Sequence, residues 1–250
     1  MRHTSGLTYR DRGTTPPTPL IPAPRFGLPK EWPRTRRSPR WPKAPLLFDP
    51  GSDWEYGFST DVLGFVVEAV TGKSLGSFLQ ERLWGPLGMI DTSFASSGGK
   101  ARPRYALALA KDPLTGNANP VIHHSTDKKQ QWDSGGGGAV STAVDYLRFV
   151  EMLRAGGKLG AAEILGRGTG EAHDLGSPTG VASTTRSPTR WTWPPPATAS
   201  AWAFAVRQQN GIAAMAAAPA TNYRSGVFGS YYWVDLAGEL AVVFMAAALA

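Results

Sequence analysis

The chain has 250 residues, enough for one large domain or two small ones, and 42% of them are hydrophobic, which allows a sizeable core. It contains no cysteine, which excludes disulfides and thiolate metal sites. No apolar run reaches the length of about eighteen residues that a transmembrane helix needs, so we expect none.

The formal net charge of +7 is carried by the N-terminal part of the chain. Residues 1–50 hold ten Lys or Arg against three acidic residues, whereas the rest carries 16 of each (26 less 10, and 19 less 3). Because the basic character belongs to one segment, we do not expect the whole protein to bind nucleic acid.

Residues 10–45 are rich in Pro and Arg and show no helical or strand periodicity. Frequent prolines remove backbone donors, so we predict a poorly ordered segment. Two other interpretations stay open: a basic arm for nucleic acid or acidic lipid, and a stretch translated in a shifted frame. We assign residues 1–45 to this segment and 46–250 to a folded domain. That domain has an irregular insert at 166–200, where periodicity is lost again.

The first predicted helix follows residue 58. Ser59 or Thr60 can cap it, Asp61 lies in its first turn where acidic groups are favoured, and Gly72 ends it. Apolar residues four apart form one stripe along this helix: Val62, Val66 and Val70, with Leu63 and Val67 beside them.

Two further helices have recognisable ends. Ser74 can cap a second helix, which carries apolar residues up to the GPLGM turn at 85–89. Thr142, with Asp145 three residues later, resembles a capping box for a third helix that Gly156 and Gly157 close.

The C-terminal part predicts strands. WAFAVRQQ at 202–209 is a strand candidate, and VFGSYYWVD and LAVVFMA flank LAGE as a β-hairpin. The apolar end AVVFMAAALA is too short to span a bilayer and fits a buried strand.

Common site motifs are absent. The four histidines (His3, His123, His124 and His173) have no metal-site spacing, so we expect no metal. GGGG at 135–138 lacks the lysine of a phosphate loop, and we interpret it as a turn that needs positive φ. No nucleophile elbow of the form G-x-S-x-G is present.

The order of four segments resembles the serine β-lactamase-like superfamily: RHTSGLTY, PLLFDPGSDWEYGF through PLGMIDTSF, GGGGAVSTAVDYLRFVEML and FGSYYWVDLAGELAVVFM. The likeness is to class C β-lactamases, family VIII carboxylesterases and penicillin-binding-protein relatives, and it covers roughly half the chain. It includes residues 3–9 within the basic segment. The resemblance implies an α/β fold of the α+β type, in which helices flank an antiparallel sheet beside a helical subdomain.

The resemblance also implies a Ser–Lys–Tyr site that cleaves a small acyl ester or amide through an acyl-serine, without a cofactor. Tyr56 matches the family's tyrosine, and the alternative is a packing aromatic at a loop exit. Phe58 stands where lactamases often have Asn, which favours ester hydrolysis over β-lactam recognition.

The opposite wall of such a site is a strand in this family. Arg224, Ser225 and Gly226 align with its Lys-Thr-Gly or Trp-Gly-Gly motif, and the Val227 N–H would complete the oxyanion hole. Arg224 could bind a substrate carboxylate, or it could be a solvated charge at the strand edge.

The nucleophile is the main departure from the family, in which S-x-x-K precedes HTSGL. Here HTSGL begins at His3. Two later S-x-x-K matches, Ser97 to Lys100 and Ser125 to Lys128, lack a helical apolar pattern, and we interpret them as chance matches. We therefore expect an incomplete homologue, truncated at the N-terminus and inactive as given. Its compartment stays open between cytoplasm and periplasm.

Two alternatives from other classes remain. The chain could be a pseudoenzyme that binds acyl or peptidoglycan-like ligands without turnover, or a protein tethered to nucleic acid through its basic arm. Compensated frame slips would explain why the likeness stops at 10–45 and 166–200 and resumes after each segment.

Overall fold

The structure is a computed structural model. It describes residues 3–8, 46–53, 55–94, 104–106, 109, 111, 116, 132–166, 198–201, 204–207, 222–226 and 229–247. The chain forms two compact units. The first comprises residues 1–78, 93–107 and 122–140, and the second comprises residues 79–92, 108–121 and 141–250.

Helix α1, Ser59–Thr71, begins one residue earlier than a Ser59 cap would require and two earlier than a Thr60 cap would. Its N-cap is Phe58, which has no side-chain capping hydrogen bond, so the predicted cap is wrong. The Ser59 hydroxyl lies inside the first turn and bonds the Ser5 hydroxyl at 2.7 Å. The predicted end is confirmed, because Gly72 adopts φ 69° and donates its N–H to the Glu68 carbonyl.

The apolar stripe of α1 does not form its buried face. Leu63, Val66 and Val70 are 41%, 46% and 81% exposed, whereas the buried residues are Ser59, Asp61 and Gly64. The buried face of α1 therefore consists of small and polar residues and not of aliphatic side chains.

Helix α2, Leu75–Leu79, starts with its backbone donors satisfied by three side chains. The Leu75 N–H donates to Glu68 at 2.9 Å, the Gly76 N–H to Asp133 at 2.9 Å, and the Ser77 N–H to the predicted cap Ser74 at 3.2 Å. The N–H groups of the first helical turn have no acceptor within the helix itself, so these side-chain bonds stabilise the start of α2.

The chain continues from α2 as a π-helical segment, Gln80–Trp84, where the sequence predicted one uninterrupted α-helix. The Gly85 N–H bonds the Gln80 carbonyl at 2.9 Å and the Met89 N–H bonds Trp84 at 2.8 Å, both five residues back. The predicted stop at GPLGM is confirmed, since turns follow Trp84.

Helix α3, Ala143–Arg154, has the ends that the sequence predicts. The Thr142 hydroxyl accepts the Asp145 N–H at 3.2 Å. At the other end the Gly156 N–H bonds the Leu153 carbonyl and the Gly157 N–H bonds Met152, which is a Schellman motif. Both signals are local, which explains why the sequence reveals them.

Replacing Thr142 with alanine is expected to lower the free energy of unfolding by about 1 kcal/mol, because the Asp145 N–H loses its acceptor at the helix start. Urea denaturation followed by far-UV circular dichroism measures this change. Thr142→Ser keeps the acceptor and should stay close to wild type; equal losses in both variants would contradict the capping role.

Nine strands are described. In the first unit β1 (Ser93–Phe94) pairs with β2 (Ala139–Val140), and in the second β3 (Lys158–Leu159) pairs with β4 (Ala162–Glu163). The second unit also holds a five-stranded antiparallel sheet in chain order: β5 (Thr198–Ala201), β6 (Phe204–Arg207), β7 (Asn222–Ser225), β8 (Tyr231–Asp235) and β9 (Leu240–Phe244). The predicted hairpin is β8–β9, closed at the pair Asp235 and Leu240.

The core of the second unit lies between α3 and the sheet. Val150 of α3 and Val234 of β8 are fully buried, and Tyr232 is 3% exposed. Partly buried side chains surround them: Tyr146, Phe149, Leu153, Leu236, Ala241 and Val243. This packing fixes β8 and, through the Arg224–Tyr232 pairing, the neighbouring strand β7.

Within the described ranges, no single helix is long and apolar enough to cross a membrane. In the part of the chain that the structure describes, one sharply bent pair, α1 with the Leu75–Trp84 segment, passes that test by length and composition alone.

Candidate functional site

Tyr56 lies three residues before α1, in a short loop of the first unit. Its ring contacts the ring of His3, with centroids 4.7 Å apart and the planes tilted by 38°. His3 also accepts two backbone hydrogen bonds on either side of the tyrosine: its carbonyl takes the Glu55 N–H at 2.9 Å and its Nδ1 takes the Gly57 N–H at 3.4 Å. The tyrosine is thus held by the HTSGL segment.

The HTSGL segment is itself held in place by the chain that follows residue 45. Leu47 donates its N–H to the Gly6 carbonyl at 3.0 Å, and Gly51 donates to the Thr4 carbonyl at 2.7 Å. A Cβ added at Gly57 would lie less than 3.0 Å from Leu7 and Thr8 backbone atoms. The backbones approach so closely that only glycine fits after Tyr56.

The start of α1 meets the glycine loop predicted at 135–138. The Asp61 carboxylate accepts the Ser134 hydroxyl and, at 3.0 Å, the Gly136 N–H. Burial raises the pKa of Asp61 above its usual value, and these two hydrogen bonds oppose the rise.

None of the four loop glycines has positive φ, so that part of the prediction is wrong. A Cβ on Gly136 would instead clash with Asp61, and one on Gly135 with the Thr60 carbonyl. The glycines allow close contact between the loop and α1.

The strand predicted as the wall of the site is β7, in the second unit. Arg224 pairs with Tyr232, and Ser225 pairs with Tyr231. Gly226 follows β7, donates its N–H to the Ser230 carbonyl at 2.7 Å and accepts the Gly229 N–H at 3.0 Å. Val227 lies outside the described residues, so its place in an oxyanion hole stays a prediction.

Arg224 is half-buried beside two tyrosines on the side of the sheet that α3 covers. The rings of Tyr146 and Tyr232 have centroids 5.3 Å apart. Burial raises the pKa of both phenols, and the Arg224 charge acts against that rise in each case. The two tyrosines come from α3 and β8, so no local pattern around residue 224 could indicate these neighbours.

The alternative nucleophiles, Ser97 with Lys100 and Ser125 with Lys128, lie outside the described residues, as do His123, His124 and His173. Among the residues that the structure describes, no group of three or more His, Cys, Asp or Glu side chains could hold a metal ion.

The sequence profile of the Beta-lactamase family matches residues 1–249, and the chain belongs to this family. Protein Rv1367c of Mycobacterium tuberculosis is 32% identical over 166 residues, which are 66% of this chain and 40% of that protein. Esterase EstB of Burkholderia gladioli is 33% identical over 129 residues, covering 46% of this chain and 33% of EstB. The chain thus spans well under half the length of these relatives.

Solved structures show the same β-lactamase/transpeptidase-like fold. EstCE1, described as a hydrolase with promiscuous acyltransferase activity, aligns with 99% of this chain and 65% of its own, with a TM-score of 0.73 and 25% identity. Simvastatin synthase (LovD) from Aspergillus terreus aligns with 98% of this chain and 61% of its own, with a TM-score of 0.73 and 20% identity. The resemblance found in the sequence is therefore confirmed at the level of family and fold.

Proposed function

We propose that this protein is a serine hydrolase of the esterase type, in which Tyr56 transfers the proton during acyl transfer from small acyl esters. The full architecture would have helices on both faces of the antiparallel sheet and a helical subdomain. Esterases and acyltransferases among the relatives support this substrate class.

In the proposed reaction a serine hydroxyl attacks the ester carbonyl, and its proton passes through the tyrosine to the departing alcohol. The acyl-serine then reacts with water, which releases the acid and restores the hydroxyl. Two N–H groups stabilise the oxyanion, and we assign one of them to Val227. This splits one difficult step into two easier ones.

The observation that carries the proposal is the placement of Tyr56. A tyrosine that only packed in a core would be deeply buried, whereas Tyr56 is half-buried, next to the start of α1. Its ring contacts a buried histidine, and both of its neighbours are hydrogen-bonded to that histidine. Such a support fixes the direction of the phenol, as acid–base catalysis requires.

We propose further that residues 1–250 alone do not turn over esters. The chain has no S-x-x-K before His3, and its two later matches lack helical spacing. A pseudoenzyme that binds acyl ligands without turnover is the second candidate function, since it needs no nucleophile.

Hydrolysis of p-nitrophenyl butyrate tests both statements. Residues 1–250 should release p-nitrophenolate no faster than their Tyr56→Phe variant. If the reading frame continues upstream of Met1 into an S-x-x-K helix, the extended chain should turn over the ester, and Tyr56→Phe should slow it by about 100-fold or more. If residues 1–250 hydrolyse the ester and either Ser97→Ala or Ser125→Ala abolishes that hydrolysis, the statement that these residues lack a nucleophile is refuted. If the extended chain is active and Tyr56→Phe leaves its rate unchanged, the proposed role of Tyr56 is refuted.

A further inference from the structure

We propose that His3 is a positioning residue that fixes the phenol of Tyr56. This proposal rests on the proposed function, because it gives the tyrosine a task that needs a fixed direction. The histidine is 5% exposed and contacts three consecutive residues: Glu55 and Gly57 through their N–H groups, and Tyr56 through its ring.

The hydrogen bond from Gly57 defines the state of the imidazole. Because Nδ1 accepts this N–H, it carries no proton, and the proton of the neutral ring belongs on Nε2. An imidazolium would place a second donor against the Gly57 N–H. The neutral ring is therefore the form that holds the loop.

His3 adopts φ 59°, a left-handed conformation that residues other than glycine seldom take. Conformations of this kind persist only where the surroundings determine them. Here the flanking carbonyls of Thr4 and Gly6 accept N–H groups from Gly51 and Leu47, and the Ser5 hydroxyl bonds Ser59. The backbone turn directs the imidazole at the tyrosine loop, and these bonds hold the turn.

The opposite side of the loop is closed as well. Gly57 packs so tightly on Leu7 and Thr8 that a Cβ would overlap their backbone. Tyr56 therefore lies between a glycine that packs directly on the Leu7–Thr8 backbone and a histidine that contacts its ring. The contribution of His3 can therefore be tested by substitution at position 3, which leaves the packing of Gly57 unchanged.

Two variants separate the contributions of His3. Asparagine and glycine both tolerate the left-handed conformation, so neither adds backbone strain. His3→Asn keeps an acceptor, Oδ1, near the place of Nδ1 but loses the ring. His3→Gly loses the acceptor and the ring together.

The readout is NMR of protein labelled in its tyrosine rings and backbone amides, with the Tyr56 signal assigned by Tyr56→Phe. In His3→Gly, ring relaxation should show increased motion of Tyr56, while the Tyr146 signal in the other compact unit stays unchanged. Hydrogen exchange of the Gly57 amide should be about tenfold faster in His3→Gly than in His3→Asn, since one hydrogen bond is lost. His3→Asn should restore the amide protection but only part of the ring order.

Unchanged ring motion of Tyr56 in folded His3→Gly would overturn the proposal. If that variant does not fold, His3→Asn decides: wild-type ring motion there would overturn it, and increased motion with a protected Gly57 amide would support it. No substrate enters this measurement, so its failure is distinct from failure of the proposed function, which the ester assay reports.

Discussion

Replacing Asp145 with alanine is expected to lower the free energy of unfolding by about 2–4 kcal/mol, because the Asp91 N–H and the buried Thr92 hydroxyl each lose an acceptor. Asp145 is 1% exposed in the first turn of α3. One carboxylate oxygen accepts the Asp91 N–H at 2.7 Å and the Thr92 hydroxyl at 2.9 Å. The other bonds Arg148 at 2.9 Å. Alanine leaves all three donors without this acceptor. Urea denaturation followed by tryptophan fluorescence measures the loss.

Two variants serve as controls for Asp145→Ala. Asp145→Asn keeps an acceptor oxygen of the same shape and should cost less than alanine. Thr142→Ala removes the cap of the same helix and should cost about 1 kcal/mol. If Asp145→Ala costs no more than Thr142→Ala, the carboxylate contributes little beyond the helix end, and the predicted anchoring of the Asp91–Thr92 turn is wrong.

The limits of α3 and the β8–β9 hairpin could be predicted because their signals are local. A cap residue, a pair of glycines and a four-residue turn lie next to the elements that they define. The capping box is only half formed, however. The Asp145 N–H reaches Thr142, but its carboxylate bonds the 91–92 turn, more than fifty residues away in sequence. Local spacing gave no information on that partner.

Helix α1 shows why the buried face of a helix is harder to predict than its length. Valine spacing suggested an apolar stripe, but Ser59 and Asp61 are buried because Ser5, Ser134 and Gly136 provide hydrogen bonds. Those partners lie 54 to 75 residues away. Burying a carboxylate costs less free energy when hydrogen-bond donors surround it.

The candidate site could be predicted in part. The motif order identified Tyr56 and the strand at Arg224, Ser225 and Gly226, and the structure places these three residues at the end of β7 and in the turn after it. Their catalytic roles and the position of Val227 stay predictions. The contacts of His3 with the Tyr56 loop were missed, because a left-handed histidine and its bonds across fifty residues leave no local pattern.

Replacing Asp61 with alanine is expected to lower the free energy of unfolding by about 1–3 kcal/mol, because the half-buried Ser134 hydroxyl and Gly136 N–H each lose their acceptor. Asp61 is 3% exposed, so water cannot readily replace the carboxylate. Urea denaturation at neutral pH measures the change. Asp61→Asn keeps one acceptor oxygen and removes the charge, so it should retain most of the stability that alanine loses.

The pH dependence of Asp61→Asn gives the sharper test. Burial raises the pKa of Asp61 above 3.8, so the folded protein binds the proton more tightly than the unfolded chain. The stabilisation that this proton provides is complete below 3.8 and is lost as the pH rises through the folded value. Wild type should therefore lose stability relative to Asp61→Asn between about pH 4 and neutral pH, and the difference should then level off. A constant difference would mean that the hydrogen bonds from Ser134 and Gly136 cancel the cost of burying the charge. A wild type that gains stability relative to Asp61→Asn as the pH rises would mean that those hydrogen bonds outweigh that cost.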